Sequence, residues 1–169
     1  MRDTENASVQ WAQWLSRLLR LGACVEMLAF PWVIAPRDWM ELSHLWLGMG
    51  EMPAGTVVDF TIRQSSFFYG MHGVLMWWLS HDVLRFRPLV RLIGYTFLLF
   101  GPVFLIIDWS TGTPLWWTLC DPAVTAIFGG LVLMAERNLS SHSPQPAQLA
   151  EFGNETFPGT GEFHNSDRD

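Results

Sequence analysis

A length of 169 residues suits one compact unit, and half of them are apolar while only 15% are charged, against the roughly 25% usual in a soluble domain. All ten basic residues are arginines, and the net charge of −6 comes partly from an acidic C-terminal tail, so there is no basic stripe to hold a nucleic acid. Cys24 and Cys120 fall inside apolar runs, where buried structural thiols are expected and no disulfide framework is implied.

Near the start, Leu21-Gly22-Ala23-Cys24 has the form of a lipid-attachment box, but Gln13, Ser16, Arg17 and Arg20 occupy the place where a signal peptide carries its apolar core. The segment therefore reads as a retained membrane helix. A bilayer core of ~30 Å needs about 20 mostly apolar residues in a helix. Four stretches qualify: residues 14–34, 57–83, 88–107 and 114–135. Ala35-Pro36 ends the first, Pro88 opens the third, and Pro114 or Pro122 opens the fourth, with Asp121-Pro122 having the form of a helix start. Gly101-Pro102 predicts a kink in the third. The expected fold is all-α: a four-transmembrane-helix bundle over residues 14–137, preceded by a cytoplasmic N-terminus of residues 1–13 and followed by a disordered cytoplasmic tail of residues 138–169.

Arginine placement sets the expected orientation. Arg2, Arg17 and Arg20 precede or open the first helix, Arg85, Arg87 and Arg91 crowd the second connection, and Arg137 follows the fourth helix. Arginine-rich short loops stay cytoplasmic, so both termini are expected inside a bacterial inner membrane. Trp32, Trp39, Trp46, Trp109, Trp116 and Trp117 then fall at the outer interface, and Trp11, Trp14, Trp77 and Trp78 toward the inner one. In the first outer loop, Asp38 can cap a short interfacial helix carrying Trp39, Leu42, Leu45 and Trp46 on one face.

Ionisable residues inside a bilayer are costly and need partners. Counted from the outer ends at ~1.5 Å per residue, Glu26 lies roughly 12 Å deep, and Arg63 and Asp121 roughly 9 Å. Asp59 and Asp108 sit nearer the surface. One arginine thus meets several carboxylates, and the expected intramembrane polar cluster is Glu26, Asp59, Arg63, Asp108 and Asp121, with Glu26 as first partner of Arg63, Asp121 as second and Asp59 assisting from four residues away. Ser66, Gly70 and Gly73 on the same helix suit a close helix approach. His72, near the midplane, and Tyr69, three residues away, are the candidate pocket residues and can bond to each other. The cluster suits either an internal clamp or a pocket for a head group, ion or small substrate. There is no paired-cysteine spacing, phosphate loop, nucleophile elbow or HExxH, so no catalytic residue, metal or cofactor is expected. Expected partners are the lipid bilayer and either other membrane subunits or a second copy, with no nucleic acid.

The stretches PRDWMELSHLWLGMGEMP, RQSSFFYGMHG and DWSTGTPLWW together resemble those of a group of uncharacterised small bacterial membrane proteins with four helices. The likeness covers residues 12–137, and Arg63, Ser66, Tyr69, His72 and Gly73 are its most specific part. It implies the four-helix architecture. The layout is also similar to that of DoxX-type proteins, some of them tied to respiratory quinol oxidation, which adds a quinone-linked accessory role to the expectations. The leading expectation is a non-enzymatic accessory or structural subunit, with a small transporter or binding protein as the alternative.

Overall fold

The computed structural model describes residues 2–142, all of whose regular structure is helical: α1 (Arg2–Met27), α2 (Pro31–Ile34), α3 (Arg37–Trp46), α4 (Thr56–Leu79), α5 (Arg87–Thr111) and α6 (Leu115–His142). Four helices are long, and α2 is a single turn. The prolines explain most of the boundaries. Pro31 has no N–H to give the Met27 carbonyl, so α1 stops there and that carbonyl accepts from the Phe30 N–H at 3.1 Å instead. The same proline starts α2, where the first position needs no donor. Ala35 before Pro36 is extended, which ends α2 after one turn. Gly112, at φ 73°, closes α5 by giving its N–H to the Asp108 carbonyl.

Several boundaries differ from those expected. The first helix begins at Arg2, so the N-terminal stretch is helical and continuous with it. The second ends at Leu79, four residues early. Pro102 is carried within α5 and Pro122 within α6, which starts at Leu115 just after Pro114 and runs on to His142. Residues 138–142 are therefore helix and no part of a disordered tail, and residues 143–169 lie outside the described residues. The interfacial helix exists as α3, but Pro36 takes its cap position and Asp38 lies in the first turn without a capping bond. Cys24 and Cys120 are exposed on the helix surface, because the apolar runs that hold them turn many of their side chains outward.

α1 lies between α4 and α6, and α6 pairs along its length with α5, while the backbones of α4 and α5 have little close contact. Those two meet through rings instead: His72 against Phe97 at 5.7 Å and Trp78 against Phe86 at 4.6 Å. Small residues set the tight seams. Gly73 faces the Ala23 carbonyl and Met27 of α1, Gly101 faces Pro122 and Ala126, and Gly129 lies directly against the Gly94–Leu98 backbone. Two apolar clusters result. The larger joins Leu15, Leu19, Met76, Leu79, Val90 and Val132 toward the arginine-rich end, and the smaller seals Met40 and Met52 under α2 and α3 at the other. The polar residues of interest occupy the levels between them.

α5, and α6 over Leu115–Ser141, are long and apolar enough to cross a membrane by length and composition. α1, which carries charge along its length, and α4, whose apolar run is interrupted by Asp59, Arg63, Gln64, Ser65, Ser66 and His72, do not meet that measure, so the candidate spans among the described residues are α5 and α6.

The α5–α6 seam gives a matched test. A methyl on Gly129 would sit 2.6 Å from the Gly94 carbonyl oxygen and the Leu98 nitrogen, backbone atoms that cannot swing aside, whereas one on Gly130 meets nothing within 4 Å. Gly129→Ala should destabilise the purified protein by about 1–3 kcal/mol through overpacking. Gly130→Ala should be neutral or stabilising by up to about 1 kcal/mol, since alanine favours a helix over glycine. Unfolding of both variants in detergent provides the comparison.

Candidate functional site

The end of α2 explains where Arg63 goes. The last carbonyls of a helix have no donor above them, and here Pro36 turns the chain away at once. The Arg63 guanidinium fills that gap, donating from Nη1 to the Val33 carbonyl at 2.7 Å and from Nη2 to the Ala35 carbonyl at 2.9 Å. A cation at a helix C-terminus also meets the negative end of the dipole. The expected pairing with Glu26, Asp121 and Asp59 is thereby corrected: the arginine is satisfied by backbone. Asp59 pairs with Arg37, whose other amino group donates to the Pro53 carbonyl at 2.9 Å. Together these contacts pin α2, α3 and the loop after it onto the start of α4.

Glu26 has a different partner, His72. Its Oε2 lies 2.6 Å from the imidazole Nδ1, so the pair bridges α1 and α4, with the carboxylate largely buried and the ring partly open. Close approach at Gly73 brings the two helices near enough for this bond. The expected Tyr69–His72 bond does not form. Tyr69 is half exposed and lies within electrostatic reach of Glu26 and of Asp121, which projects from α6.

Asp108 belongs to the last turn of α5 and is 9% exposed. Its Oδ2 is buried without a hydrogen-bond partner among the described residues. Nearby backbone makes this worse, since a carboxylate at a helix C-terminus faces the negative end of the dipole. Asp121 is within electrostatic reach of it. The group that remains together is thus Glu26, Tyr69, His72, Asp108 and Asp121, drawn from all four long helices. Asp59 and Arg63 belong to the separate clamp at α2. Among the described residues no set of three or more His, Cys, Asp or Glu has an arrangement that could hold a metal ion. What the group can do is hold protons, accept hydrogen bonds and attract positive charge.

A second polar centre at the opposite end was not anticipated. Glu136 of α6 is 1% exposed and accepts from Arg91 Nε at 3.1 Å and Arg91 Nη2 at 2.7 Å. Arg87 reaches the same carboxylate at 3.2 Å and also bonds Ser140. The signal was present, since Arg87 and Arg91 lie four apart on one helical face. Sequence alone does not single out Glu136, because it follows directly on the end of the apolar run at Ala135 and has the position of an ordinary solvated flank.

The Glu26–His72 contact should appear as energetic coupling. In unfolding measurements, Glu26→Gln and His72→Gln should combine with an interaction energy of about 0.5–3 kcal/mol, as for side chains in direct contact. Arg63→Gln should add independently to either. Strong coupling of Arg63 to Glu26 would restore the direct ion pair that the geometry replaces.

Compared with known proteins, the chain matches no family model, no curated protein and no solved structure.

Proposed function

We propose that this is a four-span integral protein of a bacterial inner membrane that binds a proton or a small organic cation among Glu26, Tyr69, His72, Asp108 and Asp121. The membrane reading draws support from where the apolar surface lies. Val25, Leu28, Leu99, Ile106, Val124 and Ile127 are each more than 60% exposed, while Glu136, Asp108, Thr118 and Thr125 are buried. Large exposed apolar faces around buried polar groups suit a lipid solvent. α4 owes part of its lower apolarity to Arg63 and His72, which are bonded to other elements of the bundle. α1 owes its own to the polar turns that precede the apolar run, to Arg17 and Arg20, and to Glu26, which is bonded to His72. The arginines at residues 17, 20, 85, 87, 91 and 137 then mark the cytoplasmic end. α3 lies at the outer surface in this reading, with Trp39, Leu42, Leu45 and Trp46 exposed to lipid head groups.

The binding reading is carried by Asp108. A buried carboxylate kept for structure is paired, because leaving it alone costs several kcal/mol (on the order of 3–5). Asp108 has no such partner, its neighbour Asp121 is also acidic, and the one arginine at that end of α4 is engaged by carbonyls. Two carboxylates within electrostatic reach of each other in a medium of low dielectric favour an added proton or positive charge. Tyr69 and the Glu26–His72 pair supply further hydrogen-bonding groups beside them.

A second reading, an accessory or structural subunit, is favoured by the other charged contacts. Arg37–Asp59, Arg63 on α2 and the Glu136 centre all join separate elements, and the sparse backbone contact between α4 and α5 gives a face that another subunit could cover.

Asp108→Asn separates the two. If the carboxylate is kept for a ligand, its neutral amide should raise the stability of the ligand-free protein by about 1–3 kcal/mol, less than the full cost of the buried charge because the amide is still a polar group without a partner. The wild type should also gain stability from methylammonium or guanidinium at millimolar concentration and constant ionic strength, and the variant should lose that gain. A less stable variant together with an indifferent wild type would favour the structural reading. Topology is checked separately with Leu84→Cys in a background lacking Cys24 and Cys120. An impermeant thiol reagent should fail to reach it from outside intact cells, and strong labelling would reverse the orientation.

A further inference from the structure

At the other end of the bundle, the groove between the start of α5 and the end of α6 opens into a cavity of about 440 Å³ lined by Arg91, Tyr95, Glu136, Arg137, Ser140 and Ser141. That lies within the ~300–1,000 Å³ typical of small-molecule sites. Its charge is not balanced. Glu136 is a single carboxylate held by two arginines, Arg87 and Arg91, and Arg137 adds a third positive charge without joining the Glu136 contacts. Arg91 is anchored through Nε and Nη2, so its orientation is set, yet its side chain is 51% exposed and its Nη1 meets no acceptor among the described residues. A guanidinium held in this way presents a pre-aimed donor. Hydroxyls from Tyr95, Ser140 and Ser141 line the same space.

From this we infer that the α5–α6 cavity binds the phosphodiester head of an anionic phospholipid, with Arg91 and Arg137 holding the phosphate. The chemistry is that of a phosphate oxyanion, which arginine forks match in geometry. A lipid is the source rather than a dissolved phosphate because the cavity lies between the two helices long and apolar enough to cross a membrane, Leu133 adds an apolar wall to it, and both helices carry an exposed apolar surface that includes Leu92 and Met134. Acyl chains attached to the head group would lie along that surface. Basic pockets between helices on the cytoplasmic side are the places where anionic head groups bind. The inference rests on the membrane topology proposed above, under which this end faces the cytoplasmic leaflet.

The test uses the purified full chain exchanged into equimolar phosphatidylglycerol and phosphatidylcholine, with retained lipid counted by native mass spectrometry. Phosphatidylglycerol should be retained over phosphatidylcholine by about fivefold for each arginine that reaches it, following the usual attraction per basic residue. Arg137→Gln, which leaves the Glu136 contacts intact, should cut that preference about fivefold without changing the melting temperature in lipid-free detergent. Arg137→Glu should abolish it. Equal retention of the two lipids by the wild type overturns the inference whether or not the variants fold. So does an unchanged preference in both variants, which would locate the lipid elsewhere. Inorganic phosphate that displaces phosphatidylglycerol at millimolar concentration would assign the site to the soluble anion instead. Outside labelling of Leu84→Cys would refute the orientation on its own while leaving any lipid preference measurable, so the two failures can be told apart.

Discussion

Two hydrogen bonds from Arg63 to the carbonyls of Val33 and Ala35 determine how every other charge near that end of the bundle is used. Pro31 and Pro36 break the first segment into α1, a one-turn α2 and the start of α3, and each break leaves carbonyls in need of donors. The guanidinium supplies them with a fork of donors already spaced for two acceptors. Because it is committed there, Asp59 turns to Arg37 and Glu26 to His72. Asp108 and Asp121 are left within electrostatic reach of each other, and neither is paired with a guanidinium among the described residues. The clamp and the proposed binding group are thus consequences of the same allocation of a scarce cation.

The two ends of the bundle handle charge differently. Near α3, positive charge is spent on backbone and acids remain in excess. Near the start of α5, one buried Glu136 holds Arg87 and Arg91, and positive charge remains in excess. Under the proposed topology this yields an acidic outer half and a basic inner rim, an arrangement suited to attracting cations on one side and anionic head groups on the other. Packing follows the same division of labour. α5 and α6 interlock through Gly94, Gly101 and Gly129 at backbone distance, whereas α4 and α5 touch through rings.

The amino-acid sequence by itself determined the helical class, the approximate extent of the long helices, the short α3 and the small-residue face of Ser66, Gly70 and Gly73, because apolar run length, proline position and residue size act locally. It also singled out Glu26, His72, Asp108 and Asp121 as polar groups in apolar surroundings. Tertiary structure decided who partners whom. Nothing local says that Arg63 will prefer a helix end 28 and 30 residues earlier over an acid four residues away, since that choice depends on carbonyls orphaned by prolines in another segment. Nor could depth counting reveal that Glu136 lies inward among arginines of α5, because the helix had to continue past its apolar stretch before that side chain could turn into the bundle. Backbone hydrogen-bond demand, which is invisible in a list of residue types, is the physical reason for both differences.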